Sequence, residues 1–202
     1  MKSYGAILFL FFALIAHAQT DTIDLSEGEK VFLPSLDYGY IFNPTDLLSG
    51  SVIIKTSIEY RWSNNNDVFI KLNYDSHKAN YSLEDLNGLT NIVKGDVNFT
   101  DLLLGGGYRF GDATDRLLIM AQAGLKSYDF PEVSQEGNVF NIELASRNIF
   151  TTRFTIGYEF YLNDKSAFTL DLFLNRVWNN EDFWLDRGDS YGVSLGFITS
   201  LF

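Results

Sequence analysis

The chain has 202 residues, a formal net charge of −11 and no cysteine. Disulfides, thiolate catalysis and Cys-ligated metals are therefore excluded, and an acidic balance lacks the electrostatic footprint of a nucleic-acid binder. Hydrophobic residues make up 46% and aromatics 16%, too rich for a disordered chain, while the mean hydropathy is −0.02. After residue 18 no apolar run approaches the ~20 residues of a helical membrane span.

Residues 1–18 read as an export signal. Lys2 gives a positive start, Ile7 to Ile15 is an apolar core, and Ala16-His17-Ala18 is a small-x-small cleavage pattern. His17 lies in this leader, so His77 is the one histidine left after cleavage. Residues 19–30 are polar and acidic and read as a flexible tail, leaving 31–202 as the folded domain.

From there on period-two alternation dominates, the mark of strands with two unlike faces. Leu36 to Phe42 is a first, less regular run. Val52 to Trp62 sets Val52, Ile54, Ile58 and Trp62 against Lys55, Glu59 and Arg61. The run from Val68 sets Ile70, Leu72 and Tyr74 against Lys71 and Asp75. Further runs start at Phe99 (Leu102, Leu104, Tyr108 and Phe110 opposite Asp101 and Arg109), Leu117 (opposite Gln122 and Lys126), Phe150 (opposite Arg153 and Glu159), Phe168 (opposite Asp171) and Tyr191. Eight strands are predicted.

Their connections alternate in length. SNNND, GDATDR and NDKS are tight polar turns, whereas the gaps near 43–50, 82–96, 129–148 and 179–189 are long loops. A soluble sandwich does not confine long connections to every other gap. This pattern predicts an all-β, antiparallel up-and-down membrane-spanning barrel of eight strands. Aromatic side chains are expected in two interface belts: Trp62, Tyr108, Phe110 and Phe160 near the turns, and Tyr128, Phe150, Trp178 and Tyr191 near the loops.

With its signal peptide, eight strands, short turns and aromatic-rich final segment SYGVSLGFITSLF, the chain resembles the small OmpA/OmpX-type outer-membrane barrels. Its frequent Asn, Tyr and Phe also resemble barrels of Bacteroidetes type. The resemblance implies a cell outer-membrane location, with the tail in the periplasm and the long loops outside. It implies the lipid bilayer with its lipopolysaccharide as partner, and Phe202 as an assembly signal read by the barrel-assembly machinery. Strict alternation puts Leu201, not Phe202, on the apolar face. The extracellular partner is not identified, nucleic acid is not expected, and no cofactor or metal is assigned.

An eight-stranded barrel is just wide enough for side chains to fill it. The expected lumen network is Lys55, Glu59, Arg61, Lys71, Asp75, Asp101, Arg109, Lys126, Arg153, Glu159 and Asp171. Hairpin register places Glu59 opposite Lys71, Lys55 opposite Asp75 and Asp101 opposite Lys126. It also sets Glu159 against Asp171, a like-charge pair that needs a neighbour such as Arg61 or Arg109. Charges of both signs in a narrow bore must be paired, which favours a closed interior over a channel. Inward glycines such as Gly107 and Gly192 make room for bulky neighbours. Gly105-Gly106-Gly107 lacks the Lys-Ser/Thr of a phosphate loop.

Three functional readings follow. The preferred one is a non-enzymatic barrel with a structural or surface-interaction role through its loops. A narrow channel is the second. The third is a lipid A-modifying enzyme, for which Ser76-His77 would be the candidate pair; no base-orienting group or oxyanion donor accompanies them. Glu181, Asp182, Asp186 and Asp189 form a solvated acidic loop without EF-hand spacing.

Overall fold

The computed structural model describes residues 30–43, 48–62, 67–83, 93–112, 114–136, 139–163, 165–178 and 189–199. The leader, nearly all of the tail, Glu181, Asp182, Asp186 and Phe202 lie outside them. Eight strands follow in order: β1 (Lys30–Phe42), β2 (Ser51–Arg61), β3 (Val68–Leu83), β4 (Val93–Gly111), β5 (Asp115–Glu136), β6 (Val139–Asn163), β7 (Ser166–Val177) and β8 (Asp189–Thr199). Each pairs antiparallel with its neighbour, and β1 pairs with β8, so the sheet closes into a barrel. Closure leaves no edge along the shared height, because every strand there has two partners.

The alternation is inside-out relative to a water-soluble protein. Leu72, Leu104, Ile156 and Leu195 are exposed on the outer face, while the ionisable side chains between them in sequence are buried. Such a surface is unstable in water and suits a hydrocarbon surround. Trp62, Tyr108, Phe110 and Phe160 are exposed near the short turns, and Phe150, Trp178 and Tyr191 are exposed near the long loops. Tyr128 departs from its expected belt. It is 2% exposed, because it shares the inward parity of Lys126 two residues earlier.

Local chemistry explains the irregular points. The β1–β2 register shifts between Phe32 and Ser35, across Pro34, which has no N–H to give the ladder. Gly111, at the β4–β5 turn, has φ +125°, a region that disfavours a Cβ. Inside the wall, a Cβ on Gly107 would stand 2.6 Å from the Phe69 ring, and one on Gly192 would stand 2.4 Å from Phe173. These glycines let two inward rings lie against the sheet.

The walls differ in height. The stretch expected as a loop over 129–148 is mostly sheet: β5 and β6 continue as a pair to Glu136↔Val139. In the sequence only Gly137-Asn138 separates these ends, a two-residue hairpin signal obscured because alternation weakens around Pro131. Beside this hairpin, β4 joins β5 only from Asn98↔Asp129 down, and β7 joins β6 only from Thr151↔Val177 down.

Candidate functional site: an ion-paired bore

Successive inward positions on a strand are two residues apart, so each wall contributes a column of side chains to the bore. All eleven side chains of the expected network are buried there. They form three groups, ordered from the short turns toward the long loops.

Nearest the turns, Glu59 and Arg61 come from β2, Arg109 from β4, and Glu159 and Tyr161 from β6. The Arg109 guanidinium donates from Nε to Glu159 Oε2 and from Nη2 to Glu159 Oε1, both at 2.8 Å, and from Nη2 to Glu59 Oε1 at 2.7 Å. Arg61 donates from Nε to the same Glu59 oxygen and from Nη1 to the Tyr161 hydroxyl. That hydroxyl donates in turn to Glu159 Oε2 at 2.8 Å. Arg109 also stacks over the Phe69 ring, 3.9 Å from its centroid. Two guanidiniums, two carboxylates and two rings thus span the bore from β2 to β6. The fork of an arginine suits this position, since one group must satisfy two carboxylates.

At mid-height the Lys55 ammonium donates to Asp171 Oδ2 at 2.9 Å and to Ser194 Oγ at 2.8 Å, with Asp37 Oδ2 at 3.3 Å. Lys71 is buried beside this group, and among the described residues its ammonium has no carboxylate within ion-pair distance. Nearer the loops, Arg153 bonds Asp75, lies 3.3 Å from Asp101 Oδ2, and donates to Asn175 Oδ1 at 2.5 Å. Lys126 meets Asp101 Oδ1 at 2.8 Å.

The backbone register has Glu59 opposite Lys71, Lys55 opposite Asp75 and Asp101 opposite Lys126, as hairpin spacing indicates. Only the last of these pairs is an ion pair. Glu59 takes Arg61 and Arg109, and Lys55 takes Asp171 and Asp37, because long side chains in a narrow bore reach charges on other walls as easily as the residue beside them. The expected Glu159–Asp171 opposition is absent. Glu159 faces Thr169 and Asp171 faces Gly157, since an irregularity between Tyr161 and Asn163 moves the register. Glu159 is nevertheless held by arginine, the neighbour its charge requires.

Sequence parity alone could have added Asp37, Arg116 and Tyr161, which share faces with inward residues. Arg116 lies at the rim, with Nη1 3.4 Å from Asp67 Oδ1. Above the charged groups the inward chemistry changes. Leu48, Ala79, Tyr81, Val97, Phe99 and Tyr128 form a buried apolar cluster. His77 stacks on Phe99 with centroids 4.7 Å apart, at the boundary. Ser76 is exposed on the opposite face, so the two members of the Ser76-His77 dipeptide do not meet. Asp189, from the acidic loop, lies 3.9 Å from Arg176.

No protein-family model matches the sequence, and no curated protein matches it. Solved structures do resemble the fold. The Neisserial surface protein A aligns with 87% of this chain and 100% of its own, at 11% identity and a TM-score of 0.52. Ail of Yersinia pestis aligns over 87% and 100% at 15% identity and 0.48. The N-terminal barrel domain of Pseudomonas aeruginosa OprF aligns over 87% and 98% at 14% identity and 0.47. The chain therefore has the fold of the small eight-stranded outer-membrane barrels of the OmpA/OmpX type.

Proposed function

We propose that this chain is an outer-membrane barrel whose bore is closed by its own ion pairs and whose work is done at the cell surface. The observation that carries the reading is the β5–β6 hairpin. From Thr151 to Val139 it rises twelve residues past the last β6–β7 rung, about 40 Å of strand at ~3.3 Å per residue. Among the described residues, its upper part pairs with no third strand on either edge. An open edge can take an extended segment of another molecule, and surface loops on a rigid scaffold are where binding residues gather. The Arg61–Glu59–Arg109–Glu159 group supports a bore without a continuous water path. The separation of Ser76 from His77 gives a hydrolytic reading no support.

The chain has no cysteine, which makes orientation directly testable. Asn148→Cys on the hairpin should react with a membrane-impermeant maleimide on intact cells, while Lys165→Cys at a short turn should react only after permeabilisation. The reverse pattern would refute the proposed orientation. Folded protein should run faster than boiled protein in SDS gels and be silent in planar bilayers. Steady conductance would favour the channel reading, and a changed lipid A mass on overexpression would favour the enzyme.

A further inference from the structure

The outer face is not uniformly ridged. Near the long-loop end an apolar groove of about 530 Å³ runs over β7 and β8. Its lining comes from two neighbouring cross-strand rows, one of Phe154, Leu174, Tyr191 and Phe42 and the next of Ile156, Leu172 and Val193. The Phe42 and Tyr191 rings stack with centroids 5.8 Å apart, which makes that part of the lining stiff. Its volume lies within the ~300–1,000 Å³ of small-molecule sites, and its lining is almost wholly apolar.

One rung above Leu174 stands a cation. Thr152 pairs in register with Arg176, as Phe154 does with Leu174. The Arg176 side chain is 58% exposed, and Asp189 approaches it only to 3.9 Å. Its guanidinium lies 4.8 Å from the Trp178 ring centroid, and Trp178 Nε1 donates to Thr152 Oγ1 at 2.9 Å, which fixes the indole. By contrast, the outward Lys78 on β3 is held in a contact ion pair by Asp96.

We infer that this groove binds one acyl chain of a phosphorylated membrane lipid, with the lipid phosphate on Arg176. The inference rests on the membrane reading of the outer face. Hydrocarbon is then the solvent at the groove, so an acyl chain is the species available to fill it. An arginine that is loosely paired among the described residues and backed by an indole is the complement of an anionic headgroup at the interface. A chain seated along the stacked Phe42 and Tyr191 rings loses less freedom on binding than one lying on a smooth wall, because those rings are already ordered.

The test uses the folded full chain in micelles, with phosphatidylglycerol or phosphatidylcholine of identical acyl chains, read by native mass spectrometry. The heat-dependent gel shift is read in parallel. Phosphatidylglycerol should remain bound preferentially. Arg176→Gln should weaken it about fivefold and phosphatidylcholine, whose phosphate charge is offset by its own choline, by much less, and Arg176→Lys should retain most of the preference. Val193→Trp, which fills the groove, should remove both lipids, and Leu172→Trp should do the same. Free glycerol phosphate should not compete. Equal retention in wild type and Val193→Trp would overturn the groove, and an unchanged lipid preference in Arg176→Gln would overturn the headgroup contact. Displacement by glycerol phosphate would make this a site for free phosphate, and a dimer lost in Val193→Trp would assign the groove to a second copy. Loss of the gel shift in wild type would instead strike the membrane reading itself.

Discussion

Along β4 the inward side chains change from Arg109 near the short turn, past Leu103, to Asp101 nearer the loops and then to Phe99 and Val97. On β5 the inward side chains are Arg116, Leu118, Met120, Gln122 and Lys126, and then Tyr128. The same pleat therefore serves two environments. Low in the barrel all eight walls are present, and a charge on β2 finds its partners on β4, β6 or β7. Higher up, β7 has ended at Val177, β8 begins at Asp189, β1 has ended at Phe42 and β2 begins at Ser51. Among the described residues, no facing wall offers a counter-charge there. The tall wall instead carries apolar inward residues, covered by Leu48, whose neighbour Ser49 donates its backbone N–H to the Asn80 carbonyl at 2.9 Å. A buried charge needs a partner, whereas an apolar surface needs only to be covered.

The sharpest break of that comparison is Arg109→Ala. It leaves Glu59 and Glu159 to share Arg61, and stranding buried carboxylates should cost about 3–5 kcal/mol in urea unfolding from micelles. A loss under about 1 kcal/mol would mean that lumen water, not arginine, satisfies the carboxylates. Phe99→Ala tests the upper region and should cost about 3 kcal/mol, the low end for emptying a buried aromatic site. A negligible cost would show that the upper cluster is not packed as a core.

The outer face supplies a third, intermediate effect. Leu172→Arg at mid-height should cost about 2–4 kcal/mol in a bilayer, and Ser127→Arg near the loops about 0–1 kcal/mol. Equal costs would contradict a hydrocarbon band around the barrel. The smallest effect is a coupling energy. Glu59 and Lys71 face each other in register without an ion pair, so a double-mutant cycle should show a coupling well below that of Glu59 with Arg109. Glu59 with Arg109 should depart clearly from additivity. A strong Glu59–Lys71 coupling would mean that in solution Lys71 takes over one of the arginine contacts.

Much of this architecture was legible from the chain. Alternation through Val52–Trp62 or Phe168–Leu174 fixes which side chains share a face, because the pleat has a period of two whatever the partners are. Tight polar turns such as GDATDR set the register, and with it the rungs joining Glu59 to Lys71 and Asp101 to Lys126. Parity even contained the place of Tyr128, which position near a loop had suggested should be a belt residue. The Gly137-Asn138 hairpin was likewise present in the sequence, without a regular alternation around it to draw attention.

Partner choice inside the bore was a different kind of fact. Sequence and hairpin arithmetic relate a residue to the strands beside its own. Glu59 and Glu159 are on strands four apart, brought together only when β1 closes on β8. Which cation reaches which carboxylate then depends on side-chain length, on guanidinium geometry and on the one-residue irregularity at Tyr161–Asn163. The groove below Arg176 has the same origin, since Phe42 joins its lining only through the β1–β8 seam. Local periodicity determined the faces of the strands. Closure determined what meets across them, because distance across a barrel is not encoded in separation along the chain.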